Sequence, residues 1–366
     1  MRSARRFTCL ILACLSLAGC AVPGQVAMLP WELQEPVPVI ISAPLDDRPT
    51  PTPFQPLPVT PTYIPTAYPT PTSPPPTETP TPGFIEEQSR NWADYPGPTI
   101  WPDIEVPPPT GLLAQPVGQV NILLLGSDQR PNTGGFRTDT IILLTLNPNQ
   151  GTASLTSFPR DLYVYIPGWT VQRINTAHQY GGFDLTALTF EYNFGVHPDH
   201  YMLVNLWSFE DAIDSLGGVD VEVAQTLTDH RDDYGQFTVY AGTEHMDGET
   251  ALWYVRSRYS TNDFDRGRRQ QEVILAAFNK LLSLDALNKA PELYDIYRQS
   301  VVTDMGFDDM AQFLPLASDL RDFSRVHRYY IGPQQVYSWV NFSGAQVLVP
   351  IREAVMDVMR QALNTP

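Results

Sequence analysis

Cysteine is nearly absent from this sequence of 366 residues: Cys9, Cys14 and Cys20 are its only three cysteines. The 346 residues after Cys20 contain no thiol, which excludes disulfide bridges, thiolate zinc sites and a cysteine nucleophile in any domain they form. Basic residues are also scarce, since 23 lysines and arginines face 40 aspartates and glutamates and the formal net charge is −17. This balance argues against nucleic acid as a partner, because its binding depends on cations that neutralise phosphates.

Motifs of several common enzyme classes are missing as well. The sequence has no Gly-x-Ser-x-Gly, no P-loop and no Gly-x-Gly-x-x-Gly, the usual signatures of serine hydrolases and of nucleotide-binding folds. The pair His197 and His200 is a weak zinc signal, because two histidines without a third ligand are more often ordinary loop residues.

The first twenty residues are typical of a lipoprotein signal peptide. Arg2, Arg5 and Arg6 precede an apolar run that is shorter than the roughly 20 residues of a membrane span. The run ends in Leu17-Ala-Gly-Cys20, which resembles a bacterial lipobox, so that Cys20 becomes the acylated mature N-terminus. We therefore predict an extracytoplasmic protein that a lipid on Cys20 anchors to the outer face of the cytoplasmic membrane. An uncleaved anchor helix is the alternative.

Proline and threonine dominate the next part of the chain, and most of the 36 prolines lie in the N-terminal third. Such a composition cannot build an apolar core and favours extended polyproline II. We assign residues 21–115 to a semi-rigid spacer. Residues 116–366 then form a single folded domain that includes a C-terminal helical part, and about 250 residues are enough to bury a substantial core.

The folded region alternates between strand-like and helix-like patterns, which predicts an α/β or α+β domain around a central sheet. The predicted strands are Val120–Leu125, Thr140–Leu146, Ala153–Ser157, Leu162–Ile166, Asp220–Val223 and Val326–Ile331. The predicted helices are Leu185–Phe194, Ser208–Leu216, Gly248–Tyr254, Gln270–Leu284, Met310–Leu320 and Ala345–Ala362.

Arginines of the folded region cluster in segments that follow predicted strands or helices. A guanidinium group binds phosphate oxygens bidentately and stays charged at any relevant pH. So many of them in an acidic protein predict a ligand with several negative charges; the alternative is a set of surface ion pairs, each worth little. The arginines are Arg130, Arg137, Arg160 and Arg173, and then Arg256, Arg258, Arg266, Arg268 and Arg269.

Two aspartates stand at the ends of one strand–loop–strand unit, each two residues from an arginine: Asp128 beside Arg130 and Asp139 beside Arg137. Two carboxylates across a loop can hold Mg²⁺, which needs only one or two of them together with substrate phosphates and water. The alternative is that each aspartate only pairs with its neighbouring arginine.

Seven short blocks, in this order, resemble the signature segments of the LytR–CpsA–Psr (LCP) family of cell-wall glycopolymer transferases. Together they extend from about Val117 to Ile331, and the order of seven blocks is far more specific than any one of them. The blocks are Gly126-Ser-Asp-Gln-Arg130, Arg137-Thr-Asp-Thr140, Phe158-Pro-Arg-Asp161, Arg173-Ile-Asn175, Leu216-Gly-Gly-Val219, Arg256-Ser-Arg258 and Asp263-Phe-Asp-Arg-Gly-Arg-Arg-Gln270.

The resemblance implies a single domain with a central mixed β-sheet wrapped by helices and an apolar tunnel for a polyprenyl chain. Family members move glycopolymers from a polyprenyl-pyrophosphate carrier to peptidoglycan with Mg²⁺. Asp128 and Asp139 match the metal-coordinating aspartates, and Asp263 matches a further acidic position of the site. The positions that match the pyrophosphate-binding set are Arg137, Arg160, Arg256, Arg258, Arg266 and Gln270, with Arg130 in the same block as Asp128.

The chemistry implied is phosphoryl transfer, in which positioning and electrostatics dominate. Arg160 is the expected catalytic cation, and Asp161 or Asp263 is the expected general base for the acceptor hydroxyl; the residues do not choose between the two. Two other functions use the same residues. One is a non-catalytic module that binds lipid-linked glycans, and the other is a pyrophosphatase that hydrolyses the carrier.

Overall fold

The computed structural model describes residues 92–128, 136–283, 298 and 300–364. The predicted signal peptide, the lipidation site Cys20, most of the predicted spacer and Arg130 lie outside these residues. Within them, no helix combines the length and the hydropathy that a membrane span requires.

Fourteen strands are found in these ranges. In chain order they are β1 (Val120–Ser127), β2 (Thr138–Asn147), β3 (Thr152–Ser157), β4 (Tyr163–Ile166), β5 (Thr170–Arg173), β6 (His200–Asn205), β7 (Val219–Val223), β8 (Leu227–Arg231), β9 (Gly235–Val239), β10 (Gly242–Met246), β11 (Val302–Thr303), β12 (Val326–Tyr330), β13 (Val336–Val340) and β14 (Gln346–Pro350).

The α-helices of the same ranges are α1 (Ala177–Phe194), α2 (Leu206–Ser215), α3 (Gly248–Arg256), α4 (Asp263–Ser283), α5 (Phe307–Ala311), α6 (Leu314–Asp319) and α7 (Arg352–Leu363). Short 3-10 helices occupy Trp92–Asp94, Ile174–Thr176 and Phe323–Arg325. Helix α1 is kinked at Gly181 and Gly182, whose backbone angles are not helical.

A six-stranded mixed sheet lies at the centre, in the order β11-β6-β1-β2-β3-β12. Strands β1, β2 and β3 form an antiparallel meander, whereas β6 pairs parallel to β1 and β12 parallel to β3. The described residues also form four separate two-stranded sheets, β4–β5, β7–β10, β8–β9 and β13–β14. The predicted fold class, a mixed sheet with helices around it, is confirmed.

Helices cover both faces of the sheet, and its central strands β1, β2 and β3 are buried along most of their length. In β1, Leu123 packs in one cluster with Phe190 of α1 and Met359 of α7. The next residue towards the N-terminus, Ile122, packs on the other face, in a cluster that includes Phe278 of α4. A strand that is buried on both sides has no polar alternation, as expected for a sheet between two helical layers.

One predicted helix is wrong at its N-terminal end. The segment Ala345–Ala362 was expected to be helical throughout, but Gln346–Pro350 is strand β14 and helix α7 begins at Arg352. Val347 and Val349 are buried on one face of the strand, where β-branched side chains pack well. Pro350 disfavours a helical conformation of the residue before it, so the helix starts after it.

The packed region begins before residue 116, the start predicted from composition. The Tyr95 side chain is buried, and its hydroxyl donates to Glu191 Oε1 at 2.9 Å. Further on, Tyr192 donates to the Pro107 carbonyl at 2.6 Å and the Leu113 amide donates to the Gly195 carbonyl at 2.8 Å. We call residues 95–113 the strap. Their proline content indicated a spacer, but tyrosine hydroxyls and backbone groups bind them to the domain.

Candidate functional site

A cavity of about 390 Å³ opens where the carboxyl ends of the parallel strands β1 and β6 meet helices α2, α3 and α4. Crevices at the carboxyl ends of parallel strands are common ligand sites. Its apolar lining comprises Leu124, Leu125, Met202, Val204, Leu206, Phe209, Leu252, Val255, Val273, Ile274 and Val301. Its charged and amide lining comprises Asp128, Asp139, Arg160, Asn205, Arg256, Arg258, Arg266 and Gln270.

The two kinds of lining residue are segregated. Along α4, Arg266 and Gln270 come first and Val273 and Ile274 follow one turn later, all facing the cavity. The cavity therefore has a charged part, which we call its mouth, and an apolar part, which we call its interior. A molecule that fits both has an anionic head and a hydrocarbon tail, since buried apolar surface needs apolar contact and guanidinium groups need anionic oxygens.

Gly126 allows two strands to approach closely at the mouth. A Cβ atom at this position would lie 2.8 Å from Cβ of Thr140 on the neighbouring strand. The Thr140 hydroxyl accepts a hydrogen bond of 2.8 Å from Gln270 Nε2. Glycine at 126 therefore leaves Thr140 free to hold the amide of Gln270 against the cavity.

Arg160 is the centre of the charged residues at the mouth. Its Nη1 lies 2.6 Å from Asp139 Oδ2, and its Nε lies 3.6 Å from Asp161 Oδ2 and 3.8 Å from Asp263 Oδ2. Burial alone would lower the pKa of Arg160, but the attraction of the three carboxylates outweighs burial and raises it. Arg160 is therefore a permanent cation that is fixed in orientation at the edge of the cavity.

Asp161 and Asp263 form a carboxylate pair beside Arg160, outside the lining of the large cavity. Burial raises the pKa of Asp161; Arg160 and Arg173 oppose this, while Asp263 adds to it through its charge and a hydrogen bond between the two carboxyl groups. Arg173 Nε lies 3.1 Å from Asp161 Oδ1 and Arg266 Nη1 lies 3.1 Å from Asp263 Oδ1. The Asp161 carboxylate therefore binds a proton at a higher pH than an ordinary aspartate does.

Three further arginines line the mouth, and fewer carboxylates balance their positive charges than balance that of Arg160. Burial lowers the pKa of Arg266, and the like charges of Arg160 and Arg258 lower it further although Asp263 and Asp139 oppose them. Arg256 and Arg258 are exposed, and within the described ranges neither forms an ion pair. Arg256 and Arg258 are therefore available to bind an anionic ligand, in a protein whose net charge of −17 otherwise repels anions.

The segment that carries Arg256, the last residue of α3, and Arg258 is held in place by two buried charged residues, Asp229 and Arg269. Asp229, which is 4% exposed, accepts hydrogen bonds from the Ser257 hydroxyl and from the amides of Tyr259 and Ser260. We call this arrangement, together with Arg269, the loop clamp.

Arg269 is the other half of the loop clamp and is fully buried. Its guanidinium donates to the carbonyls of Tyr254 and Ser257 and, at 3.1 Å, to Thr261 Oγ1. Arg268 points elsewhere and pairs with Asp265 and Glu272. Of the three arginines on α4, only Arg266 therefore faces the cavity.

Asp128 and Asp139 are brought together by the pairing of β1 with β2, and both line the cavity. The Asp128 carboxylate accepts from the Arg137 amide at 2.8 Å, and Asp139 accepts from Asn175 Nδ2 at 3.2 Å as well as from Arg160. No group of three or more potential metal ligands occurs among the described residues. Two carboxylates at an anion site are nevertheless the donor set that suits Mg²⁺, which takes its other ligands from phosphates and water.

The predicted site residues thus fall into three groups. Asp128, Asp139, Arg160, Arg256, Arg258, Arg266 and Gln270 line the large cavity. Asp161 and Asp263 lie beside it, and Arg137 stands at the rim with its guanidinium 3.7 Å from Asp128. Arg130 is outside the described residues. The sequence analysis did not identify Thr140 or Asp229 as supports of this site.

Comparison with known proteins agrees with this geometry. The model of the LytR_cpsA_psr family matches residues 105–344. The chain is 40% identical over 205 residues to polyisoprenyl-teichoic acid–peptidoglycan teichoic acid transferase TagU of Oceanobacillus iheyensis, an alignment that covers 53% of this chain and 62% of TagU. It is 34% identical over 226 residues to TagT of Bacillus subtilis, covering 59% and 70% of the two chains.

Solved structures resemble the domain as well. A structure described as TagT bound to LIIa-WTA superposes with a TM-score of 0.54 at 29% identity, covering 67% of this chain and 90% of that one. B. subtilis TagV superposes with a TM-score of 0.56 at 26% identity, covering 68% and 98%. The chain thus spans less than two thirds of the TagU sequence but nearly all of these solved domains. Because the family model covers most of the folded region and five of the seven motif blocks contribute residues to the lining of one cavity, the chain belongs to the LytR_cpsA_psr family.

Proposed function

We propose that this protein is a Mg²⁺-dependent phosphotransferase that moves a glycopolymer from a polyprenyl-pyrophosphate carrier to peptidoglycan, at the outer face of the cytoplasmic membrane. The observation that carries the proposal is the cavity with a cationic mouth and an apolar interior. A polyprenyl pyrophosphate has this distribution of charge and hydrocarbon. The relatives named as teichoic acid transferases, and TagT with its bound LIIa-WTA, support the same substrate class.

In this proposal the pyrophosphate lies among Arg160, Arg256, Arg258 and Arg266, while the polyprenyl chain occupies the apolar interior. The guanidinium groups neutralise the phosphate oxygens and hold the reacting phosphorus in one orientation. Asp128 and Asp139 would hold Mg²⁺, which supplies further charge neutralisation at the phosphates when it is bound.

The reaction forms one phosphorus–oxygen bond and breaks another. The acceptor hydroxyl oxygen attacks the glycan-proximal phosphorus, and the bond from that phosphorus to the bridging oxygen breaks. Polyprenyl phosphate leaves with the bonding electrons, and the glycan remains linked to the acceptor through one phosphate. The proton of the attacking hydroxyl goes to the Asp161–Asp263 carboxylate pair, with Arg160 stabilising the charge that develops between them.

The full-length protein in detergent, a polyprenyl-pyrophosphate oligosaccharide and a soluble peptidoglycan fragment test this function directly. We expect mass spectrometry to find the glycan–phosphate–peptidoglycan product with Mg²⁺, and none after EDTA or with Asp139→Ala, since that variant loses a carboxylate of the mouth. Asp357→Ala, which removes an exposed carboxylate of α7, is the matched control and retains activity.

Other outcomes of the same assay correspond to the rival functions. A donor that binds but never reacts would identify a binding module. Release of glycan phosphate at the same rate with and without the acceptor would identify a pyrophosphatase. Either result would replace the transferase.

The carboxylate pair predicts how transfer depends on pH. A carboxylate acts as a base only when it is ionised, so the rate rises with pH through the pKa of Asp161 if this residue is the base. Burial and Asp263 raise the pKa of Asp161 despite Arg160 and Arg173, which moves this rise above the range of an ordinary aspartate. We expect single-turnover rates of Asp161→Asn to lose this step in the profile. An unchanged profile in both Asp161→Asn and Asp263→Asn would assign the base elsewhere.

A further inference from the structure

The turn between β13 and β14 exposes an aromatic side chain on a fixed backbone. Phe342 is 82% exposed. The turn around it is closed by hydrogen bonds between the Asn341 amide and the Ala345 carbonyl (3.0 Å) and between the Gly344 amide and the Asn341 carbonyl (2.9 Å). The buried Asn341 side chain also accepts from Ser343 Oγ and the Ala345 amide. These hydrogen bonds fix the backbone that carries the exposed Phe342 ring.

This hairpin is attached to the carboxylate pair. The Leu348 amide donates to the Asp161 carbonyl at 3.0 Å, next to the bridge between Leu162 and Leu348. Arg173 also links the hairpin to Asp161, since its Nη2 donates to the Gln346 carbonyl at 2.9 Å and its Nε lies 3.1 Å from Asp161 Oδ1. Neither Asp161 nor Arg173 lines the large cavity. The hairpin thus stands beside the reacting groups but outside the cavity that suits the lipid.

Polar and aromatic groups alternate around the turn. The Trp339 ring lies 6.0 Å from the Phe342 ring and 5.9 Å from the Tyr163 ring. Asp103 accepts hydrogen bonds of 3.3 Å from both the Tyr163 hydroxyl and the Phe342 amide. Sugar rings present flat C–H surfaces together with hydroxyl groups, so a surface that offers aromatic rings beside carboxylate, amide and guanidinium groups matches them.

We propose that this turn, with Phe342, Trp339 and Arg173, is the binding surface for the acceptor glycan strand. The inference rests on the proposed function, because the donor lipid then fills the cavity on one side of the Asp161–Asp263 pair. An acceptor hydroxyl has to reach that pair from the other side. The hairpin is joined to Asp161 and Arg173 there, and it holds the strand with one hydroxyl towards the base.

Two measurements on full-length protein in detergent test the surface. The first is the KM of a soluble peptidoglycan glycan fragment in the transfer assay. For Phe342→Ala we expect it to rise about five- to tenfold, the size of one aromatic contact, with kcat and donor affinity unchanged. Phe342→Trp should restore the wild-type KM. Tyr337→Ala removes another ring of the same hairpin that is 54% exposed but lies at the far end from the turn, and it should have no effect.

The second measurement is binding of the same fragment without donor, followed by tryptophan fluorescence, which does not depend on catalysis. If the wild type binds the fragment and Phe342→Ala binds it more weakly, the proposed acceptor-binding surface is supported even if no transfer is detected. An unchanged affinity and KM in Phe342→Ala would overturn the proposal. An equal loss of acceptor affinity in Tyr337→Ala would also overturn it. If Phe342→Ala lost binding to phosphatidylglycerol vesicles but kept acceptor binding, the turn would be a membrane contact instead.

Discussion

Arg160→Ala is expected to reduce the rate of glycan transfer by a factor of about 10²–10³, the usual effect of losing one preorganised donor to developing charge. Arg160 is the residue that contacts Asp139, Asp161 and Asp263 at once. Its removal takes a cation from the phosphates and leaves three carboxylates facing one another. Both effects oppose the approach of an anionic substrate.

Single-turnover rates at saturating donor measure this loss, and Arg160→Lys separates charge from geometry. Lysine keeps the charge but cannot bridge two oxygens with a planar fork, so we expect an intermediate rate. Arg360→Ala removes an exposed arginine that pairs with Asp357 and serves as the control. Thermal unfolding of each variant shows whether it is folded at the assay temperature. A folded Arg160→Ala protein that transfers at the wild-type rate would exclude Arg160 from the reaction.

Ile274→Trp is expected to weaken binding of a long-chain polyprenyl donor by about 10², because an indole in the cavity displaces about four methylene groups at about 0.8 kcal/mol each. Ile274 follows Gln270 by one helical turn and lines the apolar part of the cavity. The added ring enters existing space, so the helix need not move. A donor analogue with a chain of only a few carbons should bind the variant as it binds the wild type.

Titration of the long and the short analogue against each variant gives the two affinities. Asn279→Trp adds the same ring to an exposed position of the same helix and controls for the substitution itself. Equal weakening of both analogues would mean that the ring disturbs the cationic mouth. No weakening of either would mean that the hydrocarbon chain lies outside this cavity.

Much of the fold could be predicted from local pattern, because β1 and β2 are short apolar runs bounded by polar turns. The position of Asp128 and Asp139 followed from the same strand–loop–strand unit. The strands Leu227–Arg231 and Gly235–Val239 were not predicted. Their exposed faces carry polar and charged residues, and their pairing depends on contacts that only the folded domain provides.

Site residues could be predicted where their spacing within one helix or strand places them on the same face. They could not be predicted where segments far apart in the sequence come into contact. Helical spacing would have separated Arg266 and Gln270, one turn apart, from Arg269, which points into the protein. No such signal existed for Asp229, whose bond to Ser257 joins residues 28 positions apart. The strap was not predicted because its assignment to the spacer rested on the average composition of residues 21–115. A few anchoring residues such as Tyr95 do not change that average.

The loop clamp has a consequence for how fast the donor can bind. Asp229 and Arg269 fix the backbone around Arg256 and Arg258 through hydrogen bonds within the protein itself. On the proposed function, an arriving pyrophosphate therefore meets a segment whose backbone is already fixed, and its binding avoids the entropic cost of ordering that backbone. Association is then governed by diffusion and by the field of the arginines, so the encounter slows as ionic strength rises.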